Sequence, residues 1–399
     1  DPNIPYTEAW DNHRDFHFIT EPIEHYLGDI SRINQMSPSE KWDALMGPRP
    51  RSIDSLTAKM WEEGEAYFHA YGKVERWMGI CHGWAAASYM MPRPVKPVTL
   101  RTPDTNQEIT LFPSDMKALG SLLWAKGANL RNKFIGGRCN DKDPEELPNG
   151  AIKSDKCFDT NPGTWHTAVV NQIGIAKRSF IIDATYDYEV WNQPVISYQY
   201  NYFNPVTFQH TNTLSEAAVN LDQELKFEGD RFDGLREINA VNGQKPQSVV
   251  GVVMTIQYMV ETPPTQNPTD SPYDDGITMV SYMYDLEMSG LDGSGEILGG
   301  EWYQNERPDF LWTPSLDTEI LTYGDSTVAD TTGKLQRSFN FTDGDVIPEP
   351  LRRVAQEDGQ YSLPTGSILR HIFGLAAKPV NEPENSGTNE EALGIVEER

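Results

Sequence analysis

Two long runs in the C-terminal half, Val249–Val260 and Ile277–Leu286, alternate branched or aromatic residues with polar ones. Period-two alternation of this length fits strands with one covered face and excludes an all-helical chain. Between them, residues 263–276 are rich in Pro, Thr, Asn and Asp and read as a long loop. The first third of the chain has a different rhythm. A cap at Ser52-Ile53-Asp54 should open a helix with Leu56, Met60, Gly64, Tyr67 and Phe68 on one face and Gly72 at its end. A second helix is expected from Cys81 through Ala85, Ala86, Ala87 and Met90, stopped by Pro92 and Pro94. Ser114 is placed to cap a third, carrying Met116, Leu119, Leu122 and Leu123. Helices first and strands later define an α+β chain rather than a doubly wound α/β sheet.

A hydrophobic content of 38%, with 11% aromatics, allows a sizeable core in 399 residues despite a net charge of −26. That charge leaves no basic stripe for nucleic acid and opposes an anionic membrane surface. No apolar stretch approaches the ~20 residues that span a bilayer. The expected organisation is an N-terminal arm or pro-segment over 1–50, a catalytic core over 51–245, a β-rich half over 246–378 completing the fold, and an acidic tail over 379–399. The sequence opens at Asp1 without a signal-like segment, so processing or trimming ahead of it is expected.

There are three cysteines. Cys139 and Cys157 stand in polar, loop-like sequence and form the natural pair, as expected of a secreted chain with an odd count. Closing that loop stabilises a fold by about 3 kcal/mol on the chain-entropy model. Cys81 remains, in Trp77-Met78-Gly79-Ile80-Cys81-His82-Gly83-Trp84-Ala85. Glycine and aromatics lead in and small helix formers follow, which puts Cys81 at a helix N-terminus. There the unpaired N–H groups favour a thiolate and could receive an oxyanion. Taken alone, Cys81 fits either a nucleophile or a small residue packing a helix.

His166 shifts that balance. It follows a glycine in Gly163-Thr164-Trp165-His166, at the start of an apolar run to Ile173 that reads as a strand. Ser179–Asp183 reads as the returning strand, with a hairpin through 174–178, so that Asp183 would come back beside His166. A carboxylate there fixes the imidazole tautomer and stabilises imidazolium when a thiol gives up its proton. Asp187 competes with Asp183 but lies beyond the strand end. His82 adjoins Cys81 and points away from it on a helix. His210 and His371 lack such a context.

Two stretches, Trp77–Trp84 and Val190-Trp191-Asn192-Gln193-Pro194-Val195, resemble the oomycete cell-wall transglutaminase elicitors, a family with relatives in marine bacteria. The second resembles the start of the surface peptide by which plants sense the oomycete enzymes, and the match stops after Val195. The resemblance covers about residues 55–320. It implies a calcium-dependent protein-glutamine γ-glutamyltransferase with Cys81 as nucleophile, His166 as base and Asp183 as its orienter. A papain-like, transglutaminase-like thiol-enzyme core is implied with them. So are secretion and protein partners that offer accessible Gln and Lys. Glu75 stands where a papain-like enzyme carries a polar oxyanion donor, which leaves the Trp77 indole as the helper.

Acidic loops at Asp141–Glu146, Asp274-Asp275 and Leu291–Glu296 offer oxygen ligands without complete EF-hand spacing, and a solvated acidic face is the default reading for each. Asn340-Phe341-Thr342 is a glycosylation sequon. The rival functions are a secreted cysteine peptidase or amidase, a protein glutamine deamidase, and a non-enzymatic host-interaction protein in which Cys81 is buried.

Overall fold

A computed structural model describes residues 29–47, 55–72, 75, 77–127, 132–149, 153, 157, 160–236, 243–303, 307–328 and 341–377. Most of the N-terminal arm, the Ser52–Asp54 cap, Asn340 and the acidic tail lie outside these residues. The described residues form two compact units. The first draws on 29–127, 262–275 and 314–377, and the second on 132–261 and 276–313. The units interleave along the chain.

The first unit is helical, with one hairpin of β1 (Val98–Arg101) and β2 (Glu108–Leu111) in antiparallel register. The Leu56–Tyr71 helix is capped by Ser55, whose hydroxyl accepts from the Ala58 N–H, and it ends at Gly72 in the left-handed region. The Cys81–Met90 helix stops ahead of Pro92 as expected. The third expected helix runs Pro113–Lys126 and buries Met116, Leu119, Leu122 and Leu123. Phe112, not Ser114, holds its cap position. The Asp115 carboxylate accepts from the Phe112 N–H at 2.8 Å and from the buried Lys41 ammonium at 2.6 Å. One carboxylate thereby neutralises a buried cation and closes a helix end. The Pro263–Gly276 loop is also as expected, with a single 3₁₀ turn at Pro272–Asp274. It is held to this unit by Arg93, which pairs with Asp270 and Asp275.

The second unit is a nine-stranded sheet. Its strands are β3 (Asn132–Gly136), β4 (Phe180–Asp183), β5 (Asn192–Phe203), β6 (His210–Thr211), β7 (Ala218–Asn220), β8 (Ser248–Val260), β9 (Gly276–Met288), β10 (Ile297–Gly299) and β11 (Phe310–Pro314). The order is β10-β9-β8-β5-β4-β11-β3, with β6 also on β5 and β7 also on β8. The alternating runs read from sequence are β8 and β9, paired antiparallel from Ser248↔Met288 to Val260↔Gly276.

The expected His–Asp hairpin is absent. Residues 162–169 form a helix, Pro162–Val169, which continues as a π-helical turn over Val170–Ile175. Asn161 caps it by accepting from the Gly163 N–H, and Pro162 sits at N1, where its missing N–H costs nothing. Trp165 and Val169 enter the core with Phe180, Ile182, Val195, Met254 and Tyr284. β4 pairs with β5 and β11 instead of with residues 165–173. Residues from both end strands, Ile135 of β3 and Ile297 of β10, line one cavity of about 390 Å³ beside this helix, so the sheet curls around it.

Candidate functional site

Cys81 occupies the first position of its helix. The cap residue Ile80 makes no side-chain hydrogen bond to the first turn. Gly83 fixes how this turn lies on the Pro113–Lys126 helix. A Cβ there would come 2.2 Å from the Ser121 carbonyl oxygen and 2.5 Å from the Ala125 nitrogen, distances that only glycine allows. His82 Nε2 lies 3.3 Å from the Ala125 carbonyl, a second tether to the same helix. The sulfur of Cys81 is unbridged and half-buried. Cys139 and Cys157 are joined by the expected disulfide, and both are buried. Trp77 donates its indole N–H to Glu75 at 2.8 Å, so the indole expected to receive an oxyanion already has a carboxylate acceptor.

His166 and Asp183 belong to the second unit and Cys81 to the first. His166 lies mid-helix and is 6% exposed. Its Nδ1 is 2.8 Å from the Tyr284 hydroxyl on β9, and the Tyr200 ring packs edge-on against the imidazole at a centroid distance of 5.0 Å. Burial pushes the imidazole pKa down to about 4, so the ring is neutral at neutral pH.

Among the described residues, no hydrogen bond joins Asp183 to His166. Asp183 Oδ1 instead accepts from the Trp191 N–H at 2.8 Å and the Thr185 hydroxyl at 3.0 Å, and holds the turn between β4 and β5. Oδ2 is buried without a partner. Burial raises this carboxyl to about 6 against the opposing pull of those N–H and O–H donors. Asp187 accepts from the Glu189 N–H in the same turn. His371 contacts the Phe341 carbonyl, and His210 stands exposed on β6.

Tyr284 is the residue that sequence reasoning passed over. Its signal was the Tyr282-x-Tyr284 alternation, which places both rings on one sheet face.

Among the described residues, no group of three or more His, Cys, Asp or Glu side chains is arranged to hold a metal. Asp274 accepts from Ser271, Asp275 pairs with Arg93, and Glu145 pairs with Lys153. Among the described residues, no helix is long and apolar enough to cross a membrane.

The elicitor-like segment has an unexpected placement. Asn192 and Gln193 are 4% and 3% exposed, and Val195 is fully buried. Asn192 Oδ1 accepts from the Trp312 indole at 2.7 Å. These side chains belong to the inside of the sheet unit rather than to a surface peptide.

A helical unit with a thiol at a helix start, and a sheet unit with a buried, tyrosine-held histidine, define a mixed α and antiparallel β protein. The family model described as "Transglutaminase elicitor" matches residues 63–331, more than half of the chain, and the chain belongs to that family. Among solved structures, the crystal structure of the GP42 transglutaminase from Phytophthora sojae is similar at 23% identity and a TM-score of 0.39. The similarity covers 72% of this chain and 64% of that one, so the chain spans less than two-thirds of that structure's length. No match emerges among curated proteins.

Proposed function

We propose that the chain is a protein-glutamine γ-glutamyltransferase acting outside the cell. The observation that supports this most is Cys81, an unbridged thiol at the first position of a helix with no side-chain cap, in a chain of the transglutaminase elicitor family. Cys81 sulfur attacks the γ-carboxamide carbon of a protein glutamine. His166, neutral at the working pH, takes the thiol proton. The tetrahedral intermediate places its oxyanion toward the positive N-terminal end of the Cys81 helix. Its C–N bond then breaks, and the proton held by the imidazole leaves with ammonia. A lysine amine next attacks the thioester carbon, gives its proton to His166 and expels the Cys81 thiolate, which recovers that proton. The product is a glutamine–lysine isopeptide bond. Asp183 serves this reading by fixing the turn ahead of β5.

Ammonia release is the discriminating measurement. A glutamine peptide should release ammonia and remain uncleaved, with the release lost in Cys81→Ala. Backbone cleavage would assign a peptidase instead. Ammonia release with no capture of an added amine would assign a deamidase.

A further inference from the structure

Tyr284 is fully buried, on the central part of β9, with its hydroxyl between two polar atoms. One is His166 Nδ1 at 2.8 Å and the other is Met254 Sδ at 3.8 Å. A neutral imidazole carries one donor nitrogen and one acceptor nitrogen, and a phenol both donates and accepts. If Tyr284 donates to Nδ1, the ring proton sits on Nε2 and that nitrogen cannot accept another. If Nδ1–H donates to the phenol oxygen, the phenol O–H turns to the Met254 thioether and the Nε2 lone pair stays open. Every proton has an acceptor in the second arrangement. Among the described residues, Nε2 has no hydrogen-bond partner.

We propose that Tyr284 is the positioning residue of His166, accepting from Nδ1–H while Met254 takes its hydroxyl proton, so that Nε2 is the nitrogen that receives the nucleophile's proton. The inference rests on the transferase reading for its consequence, but the tautomer it assigns does not depend on that reading. The Tyr284 phenol occupies the place expected of Asp183. A phenol in a dry site holds the ring's orientation without adding charge, which leaves burial as the influence on the ring's titration.

The test is ¹⁵N spectroscopy of histidine-labelled full-length protein at neutral pH, run beside amine-incorporation kinetics. The expected spectrum shows His166 protonated on Nδ1. Tyr284→Phe removes the acceptor and should send the proton wholly or partly to Nε2. With it kcat should fall about 10-fold or more, a share of the roughly 10²–10⁴ that general-base catalysis supplies, with KM little changed. Met254→Leu keeps the core volume and is the second variant should Tyr284→Phe not fold. Without the thioether, the phenol turns to Nδ1 and the tautomer inverts. Wild-type His166 protonated on Nε2, or a tautomer that neither variant moves, overturns the proposal. A wild-type protein with the expected tautomer but no amine incorporation contradicts the transferase reading alone.

Discussion

The Tyr284 hydroxyl lies 2.8 Å from His166 Nδ1 across 118 residues of sequence. This contact, with the core around it, keeps the imidazole out of water, and burial lowers its pKa from 6.5 to about 4. Between those values the unfolded chain binds a proton that the folded one refuses. Stability supplied by this group therefore rises with pH through the window and is lost as pH falls from about 6.5 to about 4. Denaturant titrations of wild type and His166→Phe at pH 7 and pH 4.5 should differ in this sense, with the wild type losing more on acidification. Equal losses would mean that His166 titrates as it would in water.

Asp183 works in a different place. Its Oδ1 gathers the Trp191 N–H and the Thr185 hydroxyl, so Asp183→Ala should cost about 1–3 kcal/mol through donors left unpaired in a buried turn. Asp183→Asn retains that oxygen and should recover most of the loss. Neither change should move the His166 tautomer in the ¹⁵N spectrum. A shift in either variant would restore Asp183 as the imidazole's orienter.

A third paired site sets the alkaline side. Arg236 is enclosed by Asp230 at 2.7 Å, Asp285 at 2.9 Å and Glu287 at 3.2 Å, all within the sheet unit. Burial, then the Asp285 charge, raises Glu287 to about 7. Burial, then Asp285 and Glu287, raises Glu301 to about 8. Folded protein binds more protons than unfolded between the ordinary glutamate value of 4.5 and those values, so this cluster loses stability as pH rises through that window. Glu301→Gln should flatten the fall in melting temperature between pH 6 and pH 9. Arg236→Met should cost on the order of 3–5 kcal/mol by leaving buried carboxylates without their cation. A melting temperature unchanged in Arg236→Met would contradict the assignment.

Cys81 should be the thiol that iodoacetamide labels in native, unreduced protein, with Cys139 and Cys157 appearing only after reduction. Opening that disulfide should cost about 3 kcal/mol by the loop-entropy argument. Gly83→Ala drives a methyl into the Ser121 and Ala125 backbone and should cost about 1–3 kcal/mol while changing the rate of Cys81 labelling. Peptide mass spectrometry after timed labelling reads both effects. Unchanged labelling in Gly83→Ala would show that the helix crossing does not set the thiol's environment.

What was legible in the sequence was what local chemistry writes. β8 and β9 follow from alternation, the Cys81–Met90 helix from small residues ended by proline, and the disulfide from cysteine context. The Pro162–Val169 helix was hidden because Val169, Val170 and Ile173 are β-formers whose tertiary setting overrides propensity. The Asn161-Pro162 start was the available counter-signal. A helix in place of the expected strand leaves Asp183 without a hydrogen bond to His166 among the described residues and brings Tyr284 to the imidazole. Partners 118 residues apart leave no spacing to read. The interleaved units were equally hidden, since residues 262–275 belong with the helices although both flanking strands belong to the sheet.

The most direct measurement is incorporation of a labelled primary amine into casein by the full chain, beside Cys81→Ala and His166→Ala variants whose circular dichroism matches wild type. The account predicts time-dependent incorporation by wild type, its abolition in Cys81→Ala, and a fall of roughly 10²-fold or more in His166→Ala. Incorporation that survives in Cys81→Ala, or a folded wild-type chain that incorporates no amine, would contradict it.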